Sequence, residues 1–411
     1  MRRKIYIVNG NTRAAIYGIG TYIEQLTKCL KKTNIEFEVV YLHSDEREMT
    51  FTEKDGYKQI FIPKVLSNNP KKTDYYYRNV AYLLRESIPY ESNVQYVFHL
   101  NFITEYLLAE NLKKKFNCKI IVVAHYTEWS FVLIGDYEKL RTIKEKPETE
   151  LDVMEKRISE SVKNEINTAS MCDKLVCVAK HSSDYFIDIC KVKASNCVVI
   201  NNALKDNYKE SPIVQKNNIR KKYYIPDNFQ MAIFAGRLDE MKGVSFLIKA
   251  FRKVLDTNPN TFLYIAGEGQ LNQYLSEAEG CWGRIIFTGR LNKKKLYELY
   301  SIADIGIVCS LHEEFGFVAI EMMMHKLPVI VTDTSGLTEI VEDNVSGIKI
   351  PVRTIKGKRC ADSAKMARQI NYLLNNPDIA SEIAKNGRKR FMEKYEISLF
   401  KKKMVELYLN I

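Results

Sequence analysis

Ser310-Leu311-His312-Glu313-Glu314-Phe315-Gly316-Phe317-Val318-Ala319-Ile320-Glu321-Met322-Met323-Met324 is the stretch on which the fold is decided. The residues before it, Ala303 to Cys309, are short, apolar and β-rich, and predict a buried strand. After the polar turn at Gly316, the residues Phe317, Ile320, Glu321 and Met324 have helical spacing, so a helix is expected from about Phe317. Pro328-Val329-Ile330-Val331-Thr332 predicts the next strand. Strand, loop, helix and strand in that order make a βαβ unit, whose ligands bind beyond the C-terminal ends of the strands. The helix N-terminus offers unpaired N–H groups and a positive dipole end to an anion. Glu313 in the loop and Glu321 one turn into the helix flank that position. Carboxylates beside an anion site fit a ligand that also carries hydroxyls, because carboxylates accept hydrogen bonds from sugars.

Working outward, the 411 residues are enough for about two domains, and 46% hydrophobic residues supply two cores. The net charge of +12 is spread over clusters such as Arg2-Arg3-Lys4, Lys71-Lys72, Lys113-Lys114-Lys115, Lys293-Lys294-Lys295 and Lys401-Lys402-Lys403. Most of these read as solvated helix faces. Their functional reading is an anionic substrate or an anionic membrane surface. Nucleic acid is not expected, since the chain carries no zinc pattern, RNP motif or basic repeat. Nine cysteines without a C-x-x-C pattern predict reduced, mostly buried thiols and a cytoplasmic protein. The apolar run after Met1-Arg2-Arg3-Lys4 is too short for a signal peptide, and no stretch is long enough to span a bilayer.

Taken in order, Ile5–Val8 predicts a first strand, a loop follows over 9–19, and a helix begins around Gly20. Gly18 and Gly20 at this turn would allow close approach of a phosphate or sugar. Further strands are predicted at Phe37–Leu42, Lys58–Ile62, Val94–Leu100 and Lys119–Ala124, and 66–85 as a loop leading into a helix. His125 stands just past the end of a strand, where either a structural or a substrate role is open. His99 and Asn101 end the preceding strand, and His99 reads as structural. Leu151, Met154, Ile158, Val162 and Ile166 predict one amphipathic helix face. The polar segment Lys205–Asn228 reads as the linker, after which βα alternation restarts at Met231. There, Gly236-Arg237-Leu238-Asp239-Glu240-Met241-Lys242-Gly243 follows a strand. Arg237 and Lys242 in that loop suit a diphosphate, the first as a bidentate fork and the second as a point charge.

Together these residues resemble the retaining glycosyltransferases of family 4, with the GT-B architecture. The resemblance rests on Gly236-Arg237, Lys242-Gly243, and Glu313 with Glu321 around Phe315-Gly316-Phe317. Gly18-Ile19-Gly20, His125, Asn202, Pro328-Val329, Gly336 to Glu339 and Asn386-Gly387-Arg388 extend it over most of the chain. It implies an α/β protein with two Rossmann-like α/β domains facing a central cleft. Residues 1–204, joined by a returning helix at 397–411, would bind the acceptor; residues 205–396 would bind a nucleotide sugar. Phe400, Met404, Leu407 and Ile411 are the apolar stripe of that returning helix.

By the same resemblance, Arg237 and Lys242 hold the diphosphate, Glu313 contacts the donor sugar, and Glu321 binds ribose hydroxyls. Gly18 and Gly20 let the first loop approach the phosphates, Arg290 lies near the base, and Glu339 bounds the donor pocket. His125 orients a sugar or acceptor hydroxyl. No cofactor is implied, because the UDP- or GDP-linked sugar is itself a substrate. No metal is implied either: fixed cations and the helix start would stabilise the leaving group, and no D-x-D motif is placed to hold an ion. The acceptor would be a saccharide, a lipid-linked compound or another hydroxyl, in polysaccharide or glycoconjugate biosynthesis, with peripheral contact to anionic membrane. Three sites depart from the family pattern. Glu314 stands where Gly is usual, Asn201-Asn202-Ala203 replaces Pro-Asn-Gly, and His325 replaces a small residue. Two rival readings follow, a catalytically silent GT-B binding protein and a nucleotide-sugar epimerase on the same fold. A Rossmann oxidoreductase is disfavoured, since no G-x-G-x-x-G follows the first strand.

Overall fold

The computed structural model describes residues 2–10, 18–65, 70–104 and 106–411. The chain divides into two compact units. The first comprises Met1–Val132, Glu138–Ala203 and Ile397–Ile411, and the second Leu133–Tyr137 and Leu204–Glu396.

The strands of the first unit are β1 (Arg2–Gly10), β2 (Glu36–Ser44), β3 (Thr50–Lys54), β4 (Tyr57–Pro63), β5 (Val94–Leu100), β6 (Cys118–Ala124), β7 (Lys174–Cys177) and β8 (Cys197–Val199). Among the described residues they form one sheet in the order β3-β4-β2-β1-β5-β6-β7-β8, parallel except for β3. Runs such as Ile120-Ile121-Val122-Val123 are fully buried, as strands covered by helices on both faces must be. Order reverses at β1, which puts a topological switch point between β1 and β5. The loop 11–17 after β1 lies outside the described residues, as do 66–69 and the side chains of Lys71 and Lys72. The helix Gly18–Leu30 begins at Gly18 rather than around Gly20.

Two expectations about helices are corrected. In Val153–Met171 the buried face holds Ile158 and Val162 as predicted, but Met154 is exposed and Glu155 and Glu165 turn inward. Glu155 closes a capping box with Asp152 and pairs with Lys146 at 2.6 Å. Glu165 accepts a hydrogen bond from the Tyr185 hydroxyl at 2.5 Å. These partners, remote in sequence, satisfy polar groups that periodicity alone would place outside. The last helix, Ile397–Asn410, packs against Gly18–Leu30 within the first unit. Phe400, Met404 and Leu407 are buried as predicted, and Tyr408 rather than Ile411 completes the stripe. The Tyr408 hydroxyl lies 2.7 Å from Nδ1 of the fully buried His99, and Tyr22 lies 3.3 Å from Nε2.

The second unit contains β9 (Gln230–Ala235), β10 (Thr261–Ala266), β11 (Ile285–Gly289), β12 (Ile305–Val308), β13 (Val329–Asp333), β14 (Ile348–Ile355) and β15 (Lys358–Ala361). Among the described residues their order is β11-β10-β9-β12-β13-β14-β15, with β15 antiparallel to β14. The segment 205–228 is not an open linker. It contains the helix Ile213–Lys222, and Arg220 donates to the carbonyls of Pro226 (2.8 Å) and Phe229. Lys222 pairs with Glu298 at 2.6 Å. Polar composition there reflects a helix with one buried residue, Ile219, fixed by its cations. Of the nine cysteines none is in a disulfide, and six are buried. No helix among the described residues is long and apolar enough to cross a membrane.

Candidate active site

In the second unit β9 is central, with β10 and β12 leaving it on opposite sides. The loops after β9 and β12 therefore stand side by side at a switch point. Their backbones are joined there. Leu311 N donates to the Met241 carbonyl at 2.7 Å, and the Cys309 thiol reaches the Lys242 carbonyl at 3.2 Å. Gly243 makes this approach feasible. It has φ +67°, and a Cβ would lie 2.0 Å from the Cys309 carbonyl oxygen. The loop after β10 joins them through Leu238 N to the Glu268 carbonyl, 2.8 Å, and Gln270 N to the Leu238 carbonyl, 2.8 Å.

Arg237, Lys242 and Glu313 are thus presented by adjoining rigid loops. Lys242 Nζ pairs with the Glu313 carboxylate, and each side chain is less than one-fifth exposed. Ser310 Oγ donates to the same Glu313 oxygen at 2.8 Å. Burial acts to raise the Glu313 carboxyl, but Lys242 and Ser310 outweigh it and hold the group below the usual carboxylate range. Arg237 is turned toward Asp239 at 3.0 Å. Asp239 also caps the short helical turn Glu240–Lys242 by accepting from Lys242 N, so one carboxylate sets both cations.

Gly316, at φ +114°, starts the helix Phe317–Met324 as predicted. A Cβ there would meet Leu337 Cδ2 at 2.8 Å. Phe315 and Gly316 are buried and support the turn, while Phe317 is half-buried. Glu321 is almost wholly buried and pairs with Lys293, whose side chain is 58% exposed. The end of β13 and the segment after it brace the Glu313 loop. Thr332 and Thr334 donate to the carbonyls of Ser310 and Leu311, and Gly336 N donates to the Glu313 carbonyl at 2.8 Å. The carbonyl of Glu339, further along this segment, accepts from Arg390 at 2.9 Å. Arg290 lies 3.5 Å from Glu268, with both side chains about half exposed.

Several participants escaped the sequence reading. Lys293 belongs to a triplet that reads as a solvated face, and only the fold brings it to Glu321. His312 is 3% exposed, and its Nδ1 lies 2.7 Å from Ser335 Oγ while Nε2 lies 3.3 Å from Glu314. Glu314, where the family pattern has Gly, is therefore tied beside Glu313.

The remaining predicted residues lie in the first unit. His125 follows β6 and lines a cavity of about 280 Å³ with Asn101, Tyr126 and Glu128. Asn101 Nδ2 donates to the Val8 carbonyl at 2.9 Å, which fixes its amide so that Oδ1 faces His125 Nε2 at 3.0 Å. An amide oxygen only accepts, so Nε2 carries the proton and Nδ1 keeps the lone pair. Burial, with His99 as a second contribution, pulls the His125 imidazole down to about 3, so it is neutral at pH 7. Gly18 and Gly20 occupy the first turn of their helix, with Gly18 exposed and Gly20 half-buried.

Residues 215–390 match the family model for glycosyl transferases group 1. An uncharacterized glycosyltransferase of Methanocaldococcus jannaschii is 32% identical over 197 residues, which is 47% of this chain and 48% of that protein. The alpha-D-kanosaminyltransferase of Streptomyces kanamyceticus is 25% identical over 211 residues, 50% of this chain and 52% of that protein. The chain thus spans about half the length of the curated relatives it matches. Two solved structures agree over nearly the whole chain. Sucrose-phosphate synthase from Thermosynechococcus elongatus has a TM-score of 0.76 at 19% identity, covering 99% of this chain and 98% of that one. HepE of Anabaena in complex with UDP-glucose has a TM-score of 0.72 at 17% identity, covering 99% and 100%. Residues 215–390 of the second unit thus carry the glycosyl transferases group 1 match, and the chain, with two Rossmann-like units, has the GT-B fold.

Proposed function

We propose that the protein is a retaining glycosyltransferase of family 4 that moves a sugar from a nucleotide donor to a hydroxyl acceptor. The carrying observation is the pairing of Lys242 with Glu313 on the loops that meet at the switch point between β9 and β12, and of Lys293 with Glu321 in the helix that follows β12. In this reading the second unit binds the donor. Arg237 and Lys242 take the diphosphate, the Glu313 carboxylate faces the sugar, and Glu321 accepts from the ribose hydroxyls. HepE structures hold UDP and UDP-glucose, which makes uridine the first base to test.

The acceptor binds the first unit near His125, whose neutral ring positions a hydroxyl rather than carrying a charge. The acceptor oxygen forms its bond to the anomeric carbon on the face from which the diphosphate departs. The electron pair of the broken C–O bond goes to the departing phosphate oxygen, which takes the acceptor proton. Arg237, Lys242 and the start of helix Phe317–Met324 stabilise the charge without a metal ion. The setting is cytoplasmic, at the inner face of a membrane, with a saccharide or lipid-linked acceptor in glycoconjugate synthesis. Flotation with anionic but not neutral vesicles tests the membrane contact.

The experiment for the function is a panel of nucleotide sugars scored by product mass, run with the unaltered chain and with Arg237→Ala. Arg237→Ala should lower both donor affinity and turnover, by several kcal/mol in total if the site is dry. A free sugar released from every donor with its configuration inverted at a ring carbon would show an epimerase. Binding without turnover of any donor would show a silent GT-B protein.

A further inference from the structure

The outer face of the helix Pro70–Ser87, in the first unit, carries aromatic and cationic side chains that neither the donor nor the acceptor reading uses. Tyr76, Val80, Ala81, Leu84 and Ile88 bury one side of this segment in the core, so the opposite side is held outward. Tyr75, Arg78, Tyr82 and Arg85 follow one another there at steps of three and four residues, along about 15 Å of helix. Tyr90, just past the helix end, joins the row through Arg85. Tyr75, Tyr82 and Tyr90 are 53%, 52% and 66% exposed. A single exposed aromatic is ordinary, whereas three aligned on one rigid face form a patch.

Each ring is paired with a cation. The Arg78 guanidinium lies 4.9 Å from the Tyr75 ring centroid, and Arg85 lies 5.6 Å from that of Tyr90. Lys115 Nζ, at the end of the packed neighbouring helix Tyr106–Lys115, lies 5.9 Å from the Tyr82 centroid. The two helices together hold seven cationic residues against three acids. Lys113 and Lys114 are engaged with Asp173 at 3.3 Å and Glu110 at 2.8 Å. Arg78, Arg85 and Lys115 enter no ion pair among the described residues, so the row keeps its positive charge.

A tyrosine presents an apolar ring with a polar hydroxyl, which is the side chain that settles at the headgroup level of a bilayer. The cations beside it complement an anionic leaflet, each gaining about fivefold in partitioning near the surface. A helix face is convex and meets a plane along its length, not a small ligand. One face of each ring is already taken by its own cation, which makes the row a poor platform for stacked bases.

We propose that Tyr75, Arg78, Tyr82, Arg85 and Tyr90, with Lys115, dock the protein on an anionic phospholipid surface. The tyrosines enter the headgroup layer and the cations meet lipid phosphates. This assigns a surface to the membrane setting proposed above, on which it rests, and is independent of the transfer chemistry.

The test is flotation of the full chain with vesicles of phosphatidylcholine alone and of phosphatidylcholine with about 30% phosphatidylglycerol. Binding to the mixed vesicles only, weakening as salt rises from about 0.1 to 0.5 M, is expected. Arg78→Gln with Arg85→Gln should weaken partitioning about 25-fold. Lys402→Gln with Lys403→Gln makes the same change of net charge on another helix and should leave partitioning within about threefold. Tyr82→Trp places a reporter in the row. Its added emission should shift to the blue with mixed vesicles and be quenched by brominated lipid. Circular dichroism confirms folding, and Tyr82→Trp decides the matter if the arginine variant does not fold. Flotation of the parent with neither vesicle, or equally with both, would overturn the proposal. Retention on single-stranded RNA without vesicle binding would overturn it too. Undiminished flotation of the folded arginine variant, or a reporter untouched by brominated lipid, would keep the membrane setting and overturn the assigned surface. Donor turnover is measured on the same proteins. A parent that turns over donor but floats with no vesicle overturns the docking surface alone, and one that floats as expected but turns over no donor overturns the enzymatic reading alone.

Discussion

Glu313→Gln should tighten binding of a bare nucleoside diphosphate while lowering turnover of the full donor. In the free protein the Lys242 ammonium is neutralised by Glu313, and both side chains are less than one-fifth exposed. A diphosphate entering the site must share that ammonium with a carboxylate of its own sign. Two charge-assisted contacts in series place the carboxylate about 6 Å from the phosphate, and an effective dielectric of about 20 then gives a repulsion of roughly 3 kcal/mol. Solvent at the partly open site reduces this to about 1 kcal/mol, which is about five- to tenfold in affinity. Glutamine keeps the shape, can still accept from Ser310, and removes the repulsion. The full donor behaves differently, because its sugar gains positive character as the C–O bond breaks and a carboxylate stabilises that charge where an amide does not. Calorimetry with UDP beside kinetics with the donor measures both. Unchanged or weaker UDP affinity in Glu313→Gln would refute the argument, because it would mean that Lys242 does not meet the diphosphate.

Glu321→Ala should act mainly on nucleotide affinity, with a loss of about 1.5–3 kcal/mol for charge-assisted contacts alike in ground and transition states, and little change in kcat at saturating donor. A kcat that falls as far as kcat/KM would place Glu321 at the reacting centre instead. Turnover should survive chelation with EDTA, because fixed cations serve the leaving group; strict dependence on manganese or magnesium would show that they do not suffice. Gly243→Ala should destabilise the second unit by about 3 kcal/mol or more in urea unfolding, since the added Cβ meets the Cys309 carbonyl in a left-handed backbone conformation. A variant as stable as the parent would mean that the two loops are not held as close as described.

What the sequence disclosed was local in origin. The turn at Gly316, the helix at Phe317 and the spacing of Glu313 and Glu321 all lie within fifteen consecutive residues, and strand, turn and helix signals are themselves local. The strands Phe37–Leu42 and Lys119–Ala124 were legible for the same reason, and each falls inside its observed element. Legibility failed wherever a polar group found its partner far along the chain. Glu165 is turned inward by Tyr185, twenty residues on. The polar segment from Lys205 reads as a linker because its anchors, among them Glu298, are remote. Lys293 meets Glu321 across 28 positions, and Lys242 meets Glu313 across 71. The same distinction explains the chemistry of the site. A lysine and a glutamate chosen separately from sequence look like two independent ligands for a donor. Paired in the fold, they are one unit whose charge is already balanced, so the site can be buried before substrate arrives without stranding either ion. Under the proposed function, substrate binding redistributes an existing pair, and removing either partner changes the work done by the other.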